Sequence, residues 1–348
     1  MAANRIENLI RSQQAGLVCV VFILYVALAA FGGSVERDGV RVNTFLQLAS
    51  QDLLYKETAY WAVMAIGATL VIISGGIDLS IGSVYCLSAV TAGLFFQAVG
   101  PSGEAAGASA AWVLPAGVLI CLGTGAVCGL ANGVMITALG VHPFIITLGT
   151  MAIYRGIAFV MTGGQTLRNF PESLTHGFVG MNIGGLYPVP AFIMIACVLA
   201  AAFLMNNSIA GRHVYAVGGN ELASLYSGVR VKRVKIGVYT VSGLTGGLAA
   251  LILLGDYGSA NSNTGFGYEL NVIAASVVGG ASLSGGRGSA FGAFLGALVI
   301  KLIEKAIVIF QINQEYSRII IGMVVICAVV LDRFSARMME RRMTRGNA

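Results

Sequence analysis

Few residues of this chain carry side chains that could do chemistry, and they are scattered. Its three histidines lie in separate polar segments, so no Ser-His-Asp set can be assembled around them. No phosphate loop of the GxxxxGK(S/T) type is present. The cysteines all lie in apolar runs without metal-ligand spacing: Cys19, Cys86, Cys121, Cys128, Cys197 and Cys327. The sequence therefore predicts no catalytic residue, no metal site, no cofactor and no nucleotide site, and the chain is not expected to be an enzyme.

Two charged residues stand apart because they lie in, or at the edge of, apolar sequence. Asp78 belongs to SGGIDLSIGS, residues 74–83, and an ionisable group at membrane depth is costly and usually functional. The alternative is structural, with Asp78 or Ser80 as the N-cap of the following helix, and both interpretations stay open. Arg155 is expected to reach either a membrane face or a carboxylate.

The composition indicates which elements position these residues. Hydrophobic residues make up 57% of the 348-residue chain, charged residues make up 10%, and the mean hydropathy is +0.83. A soluble domain carries about a quarter charged residues. The fold class is therefore predicted to be an all-α polytopic membrane protein. The net charge of +6 is concentrated in a few basic segments, which is typical of membrane orientation and does not indicate a nucleic-acid partner.

About ten membrane-spanning helices are expected, some of them short or broken. The first apolar run is 15–31, and the run at 271–280 is short for a full crossing. An even number of spans places both termini on one side, and basic terminal segments indicate that this side is cytoplasmic. The predicted organisation is a cytoplasmic arm over 1–14, a transmembrane domain over 15–332 with a cytoplasmic loop over 206–235, and a basic cytoplasmic tail over 333–348.

The cytoplasmic loop contains a short predicted helix. Asn220 is a good N-cap, Glu221 lies in the first turn, and Gly228 is placed to end the helix. One face is apolar, since Leu222, Leu225 and Tyr226 are spaced at i, i+3 and i+4. A helix this short is not stable alone in water. It is either a well-capped turn between two spans or a docking helix for a cytoplasmic partner.

Two glycine-containing patterns concern helix packing and symmetry. GLANG at 129–133 is expected to let a neighbouring helix approach closely, because its side chains are small. The residues Gly75, Gly76, Leu79, Ser80 and Gly82 recur as Gly279, Gly280, Leu283, Ser284 and Gly286, at an offset of 279 − 75 = 204. Transport proteins often carry internal repeats with broken helices. So short a match leaves open whether this is a true repeat.

Five motifs occur in consistent order within residues 55–335: GGIDLSIGSV (75–84), GLANGV (129–134), VHPFIITLGTMAIYRGIAFVMTGGQ (141–165), GRHVYAVGGNELASLYSGV (211–229) and GYELNVIAASVVGGASLSGGRG (267–288). Together they resemble the ribose-type carbohydrate ABC-transporter permeases of the branched-chain amino acid/ribose permease superfamily. The resemblance implies the membrane subunit of a bacterial inner-membrane importer for a sugar or polyol. The implied partners are a cytoplasmic ABC ATPase, a periplasmic sugar-binding protein and a second permease copy or paralogue.

The resemblance also implies two functional surfaces. The ATPase is expected to dock on the cytoplasmic loop through seven residues: Gly219, Asn220, Glu221, Leu222, Leu225, Tyr226 and Gly228. A neutral polyol needs polar groups along its translocation path, and few amide, hydroxyl or carboxyl groups lie near breaks in the apolar sequence. The candidates for the path are Asp78, Asn132, Thr147 and Asn263.

Three departures from the family pattern and two alternative functions accompany this interpretation. The family usually has aspartate at the position of Asn271, proline at that of His142, and Arg-Leu where Leu225 and Tyr226 stand. The last departure predicts a more apolar ATPase contact.

A branched-chain amino-acid permease is one alternative function, although its loop lacks the AVGGNE pattern. A secondary sugar transporter is the other, and it would need mid-membrane carboxylates for a coupling ion.

Overall fold

The computed structural model describes residues 13–37, 40–101, 103, 109–313, 315–317, 319–324, 326–327 and 330. Its elements in chain order are α1 (Gln13–Phe31), β1 (Ser34–Arg37), β2 (Val40–Asn43), α2 (Leu48–Ile73), α3 (Ile81–Val99), α4 (Ala110–Leu139), α5 (Pro143–Thr162), a π-helical turn (Ser173–Phe178), α6 (Pro188–Asn207), α7 (Ile209–Gly219), α8 (Glu221–Tyr226), α9 (Val231–Tyr257), α10 (Tyr268–Val278) and α11 (Ala290–Ile309). The described residues after 314 are helical. The expectations for the basic tail and for most of the N-terminal arm lie outside these residues.

The predicted all-α membrane architecture is confirmed. Within the described residues, seven helices are long and apolar enough to cross a bilayer: α1 to α6 and α9. α11 has 20 residues but carries Lys301, Glu304 and Lys305, and α10 has 11 residues and is too short to cross alone, as expected. With the helical residues after 314, these segments correspond to the ten that the sequence predicts.

Burial differs sharply between helices, and the difference identifies the centre of the bundle. In the 18-residue apolar stretch of α2, 89% of the residues are buried inside the protein, whereas in that of α1 only 6% are buried. α2 packs against α6, α9, α10 and α11. Large apolar side chains on α1, α5 and α6, such as Phe22, Val160 and Phe192, point away from the protein. Where protein does not cover a helix that is apolar on all sides, lipid surrounds its apolar side chains.

The most extensive helix–helix contact is between α4 and α9, and glycine makes it possible. A Cβ on Gly125 would overlap the carbonyl oxygen of Gly243, and a Cβ on Gly129 would overlap that of Tyr239. A Cβ on Gly133 would likewise come too close to the backbone of Ile236. The close approach predicted from GLANG is confirmed, because without side chains the two backbones come into direct van der Waals contact.

Two parts of the fold differ from the sequence-based expectation. The predicted loop 206–235 is largely helical, since it contains α7 and α8, and α9 begins at Val231 rather than at 236. The apolar pattern did not mark this start because Lys232 and Lys235 occupy the first turns of α9. The segment after α1 also contains an antiparallel hairpin in which Ser34 pairs with Asn43. Its four-residue strands are too short to give a clear alternating pattern.

The two helix breaks that carry the glycine repeat have the same backbone geometry. After α2, the amides of Gly75 and Gly76 donate to Ile72 and Val71 at 2.9 and 3.0 Å, and Gly75 has φ +83°. After α10, the amides of Gly280 and Ala281 donate to Val277 and Ser276, both at 2.9 Å, and Gly280 has φ +95°. This is a left-handed helix end that favours glycine. The structural offset is 280 − 75 = 205, one residue more than the sequence match.

Candidate functional site

A buried polar cluster surrounds Asp78 in the break between α2 and α3. Its Oδ1 accepts hydrogen bonds from the backbone N–H of Ser80 at 2.9 Å and from the Ser80 hydroxyl at 2.7 Å. Its Oδ2 accepts one from the Ser242 hydroxyl of α9 at 2.9 Å. Ser80 occupies the N-cap position of α3, and Asp78 binds the N-cap residue instead of capping the helix itself. The carboxylate is 3% exposed, so its hydrogen bonds compensate a large desolvation cost.

Asn132 extends this cluster to α4 and α5. Its Nδ2 donates to the Ser80 hydroxyl at 2.7 Å, and its Oδ1 accepts from the hydroxyl of Tyr154 at 3.2 Å. The Tyr154 hydroxyl also lies 3.0 Å from the carbonyl oxygen of Cys128. Asn132 is fully buried, so these partners replace the water that its amide would otherwise bind.

Thr147 joins the same region through the backbone of the break. Its hydroxyl lies 3.3 Å from the carbonyl oxygen of Ile77, and the hydroxyl of Tyr239 reaches that oxygen at the same distance. The Ile77 carbonyl has left the helical ladder, so side chains from α5 and α9 satisfy it. The broken helix is thereby tied to both of these helices.

The structure brings three of the four predicted path residues together and separates the fourth. Asp78, Asn132 and Thr147 meet in the buried cluster, whereas Asn263 is exposed in the segment between α9 and α10. Arg155 holds that segment by donating to the carbonyl oxygens of Ser262, Thr264 and Gly265 at 3.0, 2.6 and 3.2 Å. The hydrogen bonds of Arg155 therefore go to backbone carbonyls and not to a carboxylate, and its expected place at a membrane face stays a prediction.

Three side chains of the cluster were not found from the sequence: Tyr154, Tyr239 and Ser242. Tyr154 had a usable signal, because it follows Thr147 by seven residues and therefore lies on the same face of α5. Ser242 and Tyr239 had no such signal in the sequence, because no local pattern shows which face of α9 meets the break between α2 and α3.

The short helix predicted in the central segment is present as α8, with the expected caps. The Asn220 side-chain oxygen accepts a hydrogen bond from the N–H of Ala223 at 2.9 Å, and Gly228 has φ +85°. Glu221 forms an ion pair with Lys235 at 2.7 Å, which fixes α8 to the first turn of α9. Local capping chemistry therefore defines this helix as the sequence indicated.

The apolar face of α8 is not covered by the chain itself. Leu222, Leu225 and Tyr226 are 65%, 55% and 86% exposed. They lie outside the apolar spans, on a segment flanked by basic residues. Three large exposed apolar side chains on one six-residue helix form a surface suited to protein contact.

α7 connects this surface to both helix breaks. Gly218 packs so tightly that a Cβ would overlap the carbonyl oxygen of Ile73, at the end of α2, and would lie 2.7 Å from the amide nitrogen of Gly286. That amide donates to Ile73 O at 2.8 Å, and the Tyr215 hydroxyl donates to Gly288 O at 2.8 Å. A displacement of α7 and α8 would therefore reach the break that carries Asp78.

Comparison with known proteins supplies the family. Residues 53–329, well over half of the chain, match the family described as "Branched-chain amino acid transport system / permease component". The chain belongs to this family. The identification made from the five motifs is confirmed.

Relatives within the family are named for sugars. The chain is 33% identical to the D-allose transport system permease protein of Escherichia coli over 91% of each chain. It is 37% identical to the ribose import permease protein of Bacillus subtilis, over 80% of this chain and 83% of the relative. It is 32% identical to the fructose import permease protein of Rhizobium meliloti, over 95% of this chain and 88% of the relative. No solved structure matches the chain.

Proposed function

We propose that this chain is the membrane-spanning permease subunit of an ATP-driven importer for a sugar or polyol. The sugar class is supported by relatives that match over most of their length and are named for allose, ribose and fructose. These relatives favour the sugar interpretation over a branched-chain amino-acid permease. The observation that carries the mechanism is the uncovered face of α8, joined through α7 to the helix break at Asp78.

ATP hydrolysis is assigned to a separate cytoplasmic ABC ATPase that docks on α8. The docking residues are those of α8 and its caps, with Leu222, Leu225 and Tyr226 as the contact and Asn220 and Gly228 as the ends of the helix. The chain itself has no phosphate loop. A helix of six residues that exposes three large apolar side chains gains stability when a groove covers them.

The buried cluster is proposed as the closed part of the translocation path. Asp78, Asn132 and Thr147 offer polar groups where four helices meet, and Asn263 lies in the polar segment that packs on the first turns of α3. All three clustered side chains are fully engaged with protein partners, so passage of a sugar requires that α3, α5 and α9 separate. A second permease copy or paralogue is part of the same proposal.

The proposal is tested by reconstituting the permease with its ATPase and a periplasmic sugar-binding protein in lipid vesicles. Uptake and ATP hydrolysis are measured with ribose, D-allose and fructose, after the same sugars have been screened for thermal stabilisation of the binding protein. We expect one of them to stimulate hydrolysis and to accumulate in the vesicles only when ATP is present. Uptake that follows an ion gradient without ATP would contradict an ATP-driven importer.

Orientation is a separate prediction. If the chain is placed as proposed in the bacterial inner membrane, Arg230 is cytoplasmic and Glu36 is periplasmic; both are exposed. In a background where the exposed Cys19 and Cys327 are replaced by serine, Arg230→Cys should react with an impermeant maleimide only in inverted vesicles. Glu36→Cys should react only in right-side-out vesicles. Labelling of both residues from the same side would contradict the even number of spans.

A further inference from the structure

A large cavity lies at the end of the bundle opposite to α7 and α8. Its volume is about 910 Å³, within the range of small-molecule sites, and its walls come from α2, α10 and α11. The residues of α2 that line it lie between Leu53 and Trp61, whereas α7 contacts Ile73, the last residue of α2. The cavity is therefore on the periplasmic side in the proposed orientation. It contains none of the path residues predicted from the sequence.

The length of α10 places the floor of this cavity near the middle of the bilayer. α10 has 11 residues and rises by about 16 Å, which is half of a hydrocarbon core of about 30 Å. Its last turn ends beside the loop that contacts α7, and the proposed orientation puts that loop at the cytoplasmic face, which places the first turn of α10 near mid-depth. Broken helices that start at mid-membrane are where transport proteins commonly bind their cargo. Tyr268, Glu269 and Asn271 of this first turn all line the cavity.

The lining combines an aromatic wall with hydrogen-bonding groups. Tyr60 and Tyr268 have nearly parallel rings, with centroids 6.4 Å apart, and Trp61 lies 5.3 Å from Tyr268 at an angle of 60°. Glu269 and Asn271 add a carboxylate and an amide. A sugar has a C–H face that packs on aromatic rings and a hydroxyl rim that both donates and accepts hydrogen bonds. This lining matches both parts of a sugar.

The charges of the lining favour a neutral cargo over an anion. Lys301 lies 2.8 Å from Glu304 and 3.5 Å from Glu57, and its ammonium sits 3.7 Å from the centre of the Trp61 ring. The lining ammonium groups are those of Lys301 and Lys305, and they are outnumbered by the carboxylates of Glu57, Glu269 and Glu304. The guanidinium of Arg155, 5.7 Å from the ring of the lining residue Phe266, adds a third cation, so the region carries little net charge to attract an anionic cargo.

Unsatisfied polar atoms gather at the same place. Within the described part of the chain, six buried side-chain atoms lack a hydrogen-bond partner. Three of these atoms are Trp61 Nε1, Glu269 Oε2 and the hydroxyl oxygen of Tyr85. Tyr85 packs against Tyr60 and Tyr268 in the aromatic wall. Buried polar atoms without a protein partner are costly, so Trp61 and Glu269 are able to offer hydrogen bonds to a molecule in the cavity, and Tyr85 lies directly behind them.

We propose that this cavity binds the neutral sugar or polyol and holds it before it passes the Asp78 cluster. The site is formed by Tyr60, Trp61, Tyr268, Glu269 and Asn271. This inference rests on the proposed function. The two regions are adjacent. Glu269 lies against Gly82, where a Cβ would come 2.7 Å from Oε2, and Gly82 follows Ser80 by two residues in the first turn of α3. A cargo at Glu269 therefore reaches the helix that holds the closed cluster.

The chain contains two tryptophans, and this allows a direct test. Trp61 lines the cavity, whereas Trp112 is 49% exposed at the start of α4. In the Trp112→Phe variant, Trp61 is the single tryptophan. The full-length variant in lipid nanodiscs is titrated with ribose, D-allose and fructose. We expect a saturable change in Trp61 emission with the sugar that the reconstituted importer carries. The matched Trp61→Phe variant, which reports from Trp112, should show no change.

A second pair of variants tests the role of the carboxylate. In the Trp112→Phe background, Glu269→Gln keeps the shape of the side chain and removes the charge-assisted hydrogen bond, so the midpoint of the titration should rise about tenfold. Glu172→Gln, at an exposed glutamate, should leave it unchanged. A flat Trp61 titration with a sugar that the importer carries, or a midpoint insensitive to Glu269→Gln, overturns this site and leaves the proposed function standing. Failure of the importer to carry any of these sugars overturns the proposed function instead.

Discussion

Replacing Leu225 by aspartate is expected to release the ATPase from the permease and to abolish sugar-stimulated ATP hydrolysis. Leu225 is at the centre of the apolar face of α8, between Leu222 and Tyr226. Each of these side chains contributes about 1.5–3 kcal/mol when a partner covers it fully. Aspartate removes that contribution and places an unpaired charge in the contact, which costs several kcal/mol more. ATPase binding should therefore weaken by at least a hundredfold or so.

The permease itself should remain folded, because Leu225 is 55% exposed and packs little within its own chain. The measurement is co-purification of the ATPase with the tagged permease, together with sugar-stimulated hydrolysis in vesicles. Leu225→Met is the matched control, since it keeps an apolar side chain of similar volume and should retain both activities. Undiminished recovery of the ATPase with Leu225→Asp would show that α8 only tethers two spans.

Replacing Gly218 by alanine is expected to block transport while the ATPase still binds. A Cβ at this position would overlap the carbonyl oxygen of Ile73 and crowd the amide of Gly286. Both groups are backbone, so no side chain can rotate away, and α7 must shift from the helix breaks. Overpacking of this kind costs about 1–3 kcal/mol. The docking face of α8 is unchanged, so the ATPase should co-purify normally. ATP hydrolysis should, however, no longer displace the two helix breaks through α7.

Gly237→Ala is the matched control for this prediction. Gly237 is an exposed glycine inside α9, outside the predicted docking residues, and has no atom within 4 Å of an added Cβ. It should therefore transport at the rate of the unmodified permease. The measurements are ATP-dependent sugar uptake and ATPase recovery for both variants. Normal uptake by Gly218→Ala would exclude α7 as the mechanical link between the docking surface and the breaks.

The features that the sequence predicted well depend on local chemistry. The caps of α8 at Asn220 and Gly228 are satisfied by residues a few positions away, so their spacing alone defined the helix. The small residues of GLANG predicted a close helix contact because absence of a side chain is itself the signal. α7 was missed because its buried residues, Gly211, Val214 and Val217, are few and lie among polar ones.

The sequence by itself determined the membrane class, the short capped helix and the family, since hydropathy, capping residues and motifs are properties of contiguous stretches. The tertiary structure alone decided which face of each helix meets another. It placed Ser242, Tyr154 and Tyr239 around the Asp78 break, and Trp61 beside Tyr268. Helices apolar on all sides carry no periodic signal for their packed face, so contacts between positions 164 residues apart, such as Asp78 and Ser242, appear only when the bundle is assembled.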